Sequence, residues 1–341
     1  MRAMVIDSPG GVDVLREAEI ADPRPAPGEV LVRVRACALN HLDVWTRRGE
    51  GGSKPTYPFV LGCDIAGEIA DAGGLSGFSV GQRVMLSPGT SCGRCLRCLS
   101  GDDNLCPAYR IFGHGRDGGY AELVASPAAN VIALPDSIGF EAAAAFPLVY
   151  LTAWRMLVAR AALRAGEDVL VWAAGSGVGM AAVQIARLHG ARVIATAGSA
   201  AKLEQARALG ADHVVDHHQQ DVVAEVKRIT GKKGVEVVVE HVGAATWERS
   251  VLSLALRGRL VTCGATTGAL GSTPLRHLFA RHLSLMGSYM GSKADLLEAA
   301  PHFFAGRLNP VVHEALPLSE ARRAHETMEA SRHFGKIVLR V

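Results

Sequence analysis

Residues 168–179 read DVLVWAAGSGVG, and this stretch decides the fold. DVLVW, from Asp168 to Trp172, is a short run rich in β-branched and aliphatic side chains, the pattern of a strand buried on both faces. The glycine-rich AAGSGVG follows, then a helix-like stretch from Val178 to His189 closed by Gly190. Strand, glycine turn and helix in this order let a backbone approach a pyrophosphate and offer a helix N-terminus to its charge. The strict G-x-G-x-x-G spacing is not met. Gly177 and Gly179 flank Val178, while Ala174 and Ser176 occupy the earlier turn positions.

The flanking sequence strengthens this reading. Strand Ala191–Thr196 leads to helix Ala201–Leu209, stopped by Gly210, and strand His213–Val215 leads to helix Asp221–Thr230. Strand Val235–Glu240 leads to helix Thr246–Leu256, and two further strands are expected at Leu260–Cys263 and Leu283–Ser288. Six strands alternating with helices predict an α/β fold built on a doubly wound parallel sheet. Before about residue 150 the character differs. Short β-type runs such as Glu29–Ala36 and Gln82–Leu86 are broken by Gly, Pro and Asp, the look of a β-rich, turn-rich domain. After Ser292 come a helix (Ala294–Phe304), a strand-like PVVHEAL, a final helix and the strand-like FGKIVLRV, a tail that can return to the first domain. A chain of 341 residues is long enough for two domains, at roughly 100–200 residues each.

Composition narrows the function classes. Hydrophobic residues make up 49% and charged residues 20%, which is globular. The net charge is +3, aromatics are 5%, and no Lys/Arg block is interleaved with aromatics, so nucleic acid is not an expected partner. No apolar run reaches the roughly 18 residues of a membrane span, and the opening MRAMVIDSPGG lacks the apolar stretch of a signal peptide. No membrane association and a cytoplasmic location are the expectations.

Four of the seven cysteines, Cys92, Cys95, Cys98 and Cys106, stand as C-x2-C-x2-C-x7-C. Two-residue gaps let successive thiolates turn towards one centre, and a longer loop returns the fourth. Four sulfurs complete a tetrahedral shell and leave no position for water or substrate, so one structural zinc per chain is expected. Two disulfides, free thiols or an iron–sulfur cluster are the alternatives. Cys37 and Cys263 read as core filling.

The second strand bears on the cofactor. An NAD site places Asp or Glu at its end, roughly 20 residues after the turn, to bond the adenine ribose. Here the strand runs VIATAGSAAK, and the position is Ala197, followed by Gly198 and Ser199. No carboxylate repels a 2′-phosphate, Ser199 can donate to it, and Lys202 can add charge. NADPH is the expected cofactor.

Taken together, PRPAPGEVLVRVRACALNHLDV, the GGYAE of Gly118–Glu122, the cysteine lobe, AAGSGVG and FGKIVL resemble the medium-chain dehydrogenase/reductase family over essentially the whole chain. The resemblance implies a GroES-like catalytic domain (1–150, rejoined by 292–341) and a Rossmann dinucleotide-binding domain (151–291), with the active site in the cleft. It further implies a homodimer through the edge of the Rossmann sheet near Leu283–Ser288, and places Lys336 of FGKIVL among the cofactor contacts. The zinc alcohol dehydrogenases of this family hold a catalytic zinc with Cys, His and Cys, and a Glu beside the His. By local matching these positions are Asn40, Cys63–Asp64 and Leu148. Asn and Leu cannot supply two of the three ligands a Lewis-acidic zinc needs, and His41, as the next residue on a strand, would point to the opposite face. The run Leu39, Asn40, Asp43 resembles the zinc-free quinone and enone reductases instead. The expected activity is therefore NADPH-dependent hydride transfer to a quinone or α,β-unsaturated carbonyl. Asn40 and Thr152 would donate to the carbonyl or nicotinamide, and Cys63, Asp64 or water would be the proton source. An alcohol dehydrogenase reducing aldehydes and a non-catalytic NADPH-binding protein are the alternatives.

Overall fold

Strand Glu29–Ala38 organises the first of two units. Its alternating EVLVRVRA buries Val30, Val32, Val34 and Ala36 on one face, as a half-buried strand requires. In this computed structural model, which describes every residue except Gly51, Ser53 and Lys54, that strand lies inside a seven-stranded sheet. Asp64–Asp71 pairs along one side of it, followed outward by Arg83–Leu86 and Val131–Ala133. On the other side, Leu123–Pro127 takes the first half of the strand and Lys336–Arg340 the second. Val312–Pro317 then pairs parallel to Lys336–Arg340. A three-stranded sheet of Arg16–Glu19, Arg2–Ile6 and Phe59–Val60 completes the β framework. This unit comprises residues 1–148, 292–294 and 309–341. The α/β chain thus returns to its GroES-like part through its last strands.

The second unit, residues 149–291 and 295–308, is a six-stranded parallel sheet. Its strands lie side by side in the order His213–Asp216, Arg192–Ala197, Asp168–Val171, Val235–Glu240, Leu254–Thr262 and Ser284–Gly287. That is third, second, first, fourth, fifth, sixth, the Rossmann order, with its reversal between Asp168–Val171 and Val235–Glu240. Leu170, Ile194, Val238 and Leu260 form a buried row across the sheet, packed against Val222, Val226 and Val251 of the covering helices.

Three local expectations are corrected. The fifth strand starts at Leu254, because the helix expected to run to Leu256 ends at Ser253. Leu254 instead pairs with Val235, and Arg257 takes a left-handed φ of 61° before the strand resumes its register. Its apolar residues fit a sheet as well as a helix, and burial decides. His41 is not a strand residue: it opens the helix His41–Arg48, for which Asn40 is the N-cap. Residues 295–308, expected in the first domain, belong to the second unit, where Trp154 Nε1 donates to Glu298 and Arg155 pairs with Asp295 at 3.1 Å.

Candidate active site and metal lobe

Pairing of three strands gathers a buried polar cluster in the first unit. Ala38, at the end of the organising strand, faces Asp64 on one neighbour and Val338 on the other. Asn40 follows Ala38 by two residues, and Lys336 precedes Val338 by two. Their side chains meet. Lys336 Nζ donates to Asn40 Oδ1 at 2.6 Å and to Asp64 Oδ2 at 3.0 Å. Asn40 Nδ2 donates to the same Asp64 oxygen at 2.8 Å and to Cys63 Sγ at 3.2 Å. Asp64 Oδ1 accepts from the backbone N–H of Leu148 at 2.8 Å. Lys336 is 2% exposed and Asp64 0%, so the pair is out of water, and each charge is compensated by the other and by further hydrogen bonds.

Asp43 holds the cluster's backbone. Its carboxyl accepts from Asn40 N at 2.7 Å, half of a capping box, and from Gly62 N at 2.9 Å. Burial raises this carboxyl from the usual carboxylate range to about 7, against the lowering effect of those two N–H donors. Gly62 sits at φ +96°, where an added Cβ would lie 2.4 Å from Tyr120 Cδ1 and 2.6 Å from Cys37 Sγ. Only glycine fits there.

These contacts revise several expected roles. Lys336, read as a cofactor contact, has its ammonium on Asn40 and Asp64. Asp64 accepts three N–H donors on its two oxygens, from Asn40, Lys336 and the backbone of Leu148. Burial, reinforced by Asp64 and Asp43, pushes the Cys63 thiol well above its ordinary value, so it is a poor acid near neutrality. Thr152 lies in the helix Pro147–Trp154, in the second unit; it is buried and its Oγ1 has no hydrogen-bond partner among the described residues.

The cysteine lobe forms as its spacing predicts. The ligand atoms of Cys92, Cys95, Cys98 and Cys106 all lie within 4.8 Å of one another, and no disulfide joins them. Cys95 and Cys98 sulfurs are 3.5 Å apart, and those of Cys92 and Cys98 3.9 Å. A zinc tetrahedron with bonds of about 2.3 Å places its sulfurs about 3.8 Å apart, so the donor set fits that ion. Backbone N–H groups of Cys92 and Ala108 donate to Cys106 Sγ. Among the described residues, no other group of three or more His, Cys, Asp and Glu ligand atoms converges in this way.

In the second unit the glycine turn leads into a capped helix N-terminus. Ser176 caps the helix Gly177–Leu188, its Oγ accepting from Gly179 N at 2.9 Å. A Cβ on Gly179 would stand 2.4 Å from Ala173 O, so the close helix–strand contact depends on glycine. Ala174 donates to Thr196 O, tying the turn to the second strand. That strand ends at the buried Ala197, and Ser199 caps the next helix, accepting from Lys202 N at 3.4 Å. Glu240 and His241, at the end of the fourth strand, escaped the sequence reading. Glu240 is fully buried and accepts from Thr246, Ser250 and the N–H groups of Val242 and Gly243. His241 Nε2 lies 2.9 Å from Trp172 O and 3.3 Å from Ser176 Oγ, joining the two strands between which the sheet order reverses. A carboxylate and an imidazole at a strand's C-terminal end were the available signal.

Comparison with known proteins agrees with both units. Residues 26–136 match the alcohol dehydrogenase GroES-like domain, and residues 177–305 match the zinc-binding dehydrogenase family. The quinone oxidoreductase of Rattus norvegicus is 32% identical over 99% of this chain and 97% of its own. The alcohol dehydrogenase of Geobacillus stearothermophilus is 33% identical over 96% of each. A solved structure of an NAD-dependent alcohol dehydrogenase superimposes with a TM-score of 0.97 at 49% identity, covering all of both chains. The chain belongs to the medium-chain dehydrogenase/reductase family and is a nicotinamide-dependent oxidoreductase of small molecules, with relatives among both quinone oxidoreductases and zinc alcohol dehydrogenases.

Proposed function

We propose that this protein is an NADPH-dependent reductase of quinones or α,β-unsaturated carbonyls that works without a catalytic zinc. The observation that carries the reading is the cluster of Asn40, Cys63, Asp64 and Lys336. An amide, a protonated thiol and a carboxylate already engaged by a lysine do not fit a Lewis-acidic metal, which needs three free protein donors. The side chain at position 148 is a leucine. Bound at the glycine turn, NADPH supplies the hydride. Asn40 has its oxygen end fixed by Lys336 and its nitrogen end aimed between Asp64 and Cys63. The sulfur is the weaker acceptor, so a substrate oxygen can replace it and take a pre-oriented N–H as negative charge develops. In the second unit, the buried hydroxyl of Thr152 has no hydrogen-bond partner among the described residues. With the Cys63 thiol held well above its ordinary value by burial, water is the proton source this reading favours.

Consumption of NADPH with quinones, enones and aldehydes, with and without a strong chelator, tests the proposal. Quinone or enone reduction that survives chelation is the expected result. The 49% identity to an NAD-dependent alcohol dehydrogenase favours a second reading, aldehyde reduction. Activity abolished by chelation of the folded protein, or aldehydes far ahead of enones, makes that reading the better one. We further propose that the protein is a homodimer through the edge strand Ser284–Gly287.

A further inference from the structure

Beside the end of the second strand of the parallel sheet lies a group of cations that neither hydride transfer nor the fold requires. The loop after the third strand carries His217 and His218, and their rings meet edge to face with centroids 4.6 Å apart. Both lie over Gly198, where an added Cβ would stand 2.5 Å from His218 Nε2 and 3.0 Å from His217 Nε2. His217 Nδ1 is 3.2 Å from Thr196 Oγ1. That hydroxyl already accepts from Ala173 N, so its own hydrogen is available to His217 Nδ1. The neutral ring then carries its proton on Nε2, the atom turned towards Gly198. Arg249 lies over Trp172, its guanidinium 5.1 Å from that ring's centroid, and the Trp172 centroid is 6.3 Å from that of His217. Of the Arg249 donors, one goes to Ala245 O at 2.8 Å. Lys202 comes from the helix that Ser199 caps.

Four cationic or protonatable side chains from three elements thus converge where Ala197 has replaced the carboxylate of an NAD site. The opposing charge is Asp216, whose carboxylate accepts from His218 N at 2.9 Å. We propose that His217 and His218, with Arg249 and Lys202, are the receptor for the 2′-phosphate of NADPH, and that binding this dianion draws a proton onto His217. The inference rests on the NADPH reading above and adds the residues and the proton linkage to it. Burial first, then His218, Arg249 and Lys202, push the His217 imidazole below its ordinary value, with Asp216 opposing them. It is therefore neutral without ligand near pH 7, and a phosphate dianion at hydrogen-bond distance supplies the charge that favours the imidazolium.

Calorimetric titration with NADPH, NADH and adenosine 2′,5′-bisphosphate tests this, run from about pH 7 to 8.5, where the 2′-phosphate is already dianionic. Two buffers of different ionisation enthalpy report the protons taken up. Native protein should bind NADPH more tightly than NADH, take up protons with either phosphate ligand near pH 7, and lose NADPH affinity as pH rises. The double variant His217→Gln, His218→Gln should abolish proton uptake and weaken NADPH about tenfold, the worth of one charge-assisted hydrogen bond. Its NADH affinity should stay unchanged, which also shows that the cofactor domain is folded. A double variant retaining full NADPH affinity and proton uptake overturns the histidine receptor while leaving the NADPH reading intact. Native protein that binds NADH as tightly as NADPH overturns that reading, and the receptor with it.

Discussion

At position 40 the side chain is oriented by its neighbours. With Lys336 on Oδ1 and Asp64 on Nδ2, flipping the amide would set an N–H against an ammonium and an oxygen against a carboxylate. Such fixed donors stabilise developing charge without reorganising, so Asn40→Ala should lower kcat for quinone or enone reduction by about 10–100-fold, with KM changing far less. Steady-state kinetics on the folded variant checks this, and an unchanged kcat removes Asn40 from the reaction. Asp43 offers a test through pH. Unfolded, its carboxyl releases a proton near the ordinary 3.8, but folded it does so only near 7. Between those values the native state holds the extra proton, so this group's contribution falls as pH rises through the window and stays low above it. Relative to Asp43→Asn, the native protein should lose urea stability between about pH 4 and pH 7. A parallel pH dependence of the two proteins would show that Asp43 is ionised throughout. Asn40, Cys63 and Asp64 were legible because each sits in a local motif, LNHLD or LGCD. Lys336 was visible, but its partner Asp64 lies 272 residues away in sequence, and only strand pairing brings them together. The role of Asp43 was within reach, since Asn40-x-x-Asp43 has capping-box spacing.

Among the elements, the cysteine lobe was the most legible, because its metal ligands are set by spacing within one short segment. It is also a direct test of the metal count. One zinc per chain is expected, lost together with the order of this lobe in Cys95→Ser, since three thiolates and a hydroxyl no longer close the shell. Elemental analysis of the purified protein decides. Two zincs per native chain would mean that the Asn40 cluster, or another group, binds metal after all. The parallel strands were legible for a different reason: each is a short apolar run ended by a turn signal. The fifth strand shows where that approach fails. WERSVLSLALRG carries apolar residues compatible with both periods, and pairing of Leu254 with Val235, invisible in the sequence, ends the helix early. The cationic group around Gly198 was missed for a similar reason. It is assembled from the ends of separate elements, and of its members only Lys202 stands near the strand that suggested a phosphate site.

At the scale of the whole molecule, the α/β alternation was readable in order and the sheet topology followed from general rules of winding. The placement of residues 295–308 was not, because a helix amphipathic enough to cover either part carries no label for which one. The sheet edge carries the last prediction. Ser284–Gly287 is hydrogen-bonded to Leu254–Thr262 on one side and ends the sheet on the other. An open edge is a template for pairing, and soluble proteins ordinarily cover or charge it. Here the sequence around it exposes large apolar side chains instead: Leu256, Leu275, Phe279 and Tyr289, each more than half exposed. A two-fold pairing of two such edges would continue the sheet from one chain to the next, and isologous contacts of this kind are self-limiting. Light scattering of the purified protein should therefore give twice the chain mass of 35.9 kDa. Replacing Leu275 and Phe279 by Asp, at positions already open to solvent within one chain, should cost a folded monomer little but desolvate two carboxylates from each chain in the dimer. The variant should run at the mass of one chain with its far-ultraviolet spectrum unchanged. Native protein at the mass of one chain at working concentrations would leave this edge without its proposed partner.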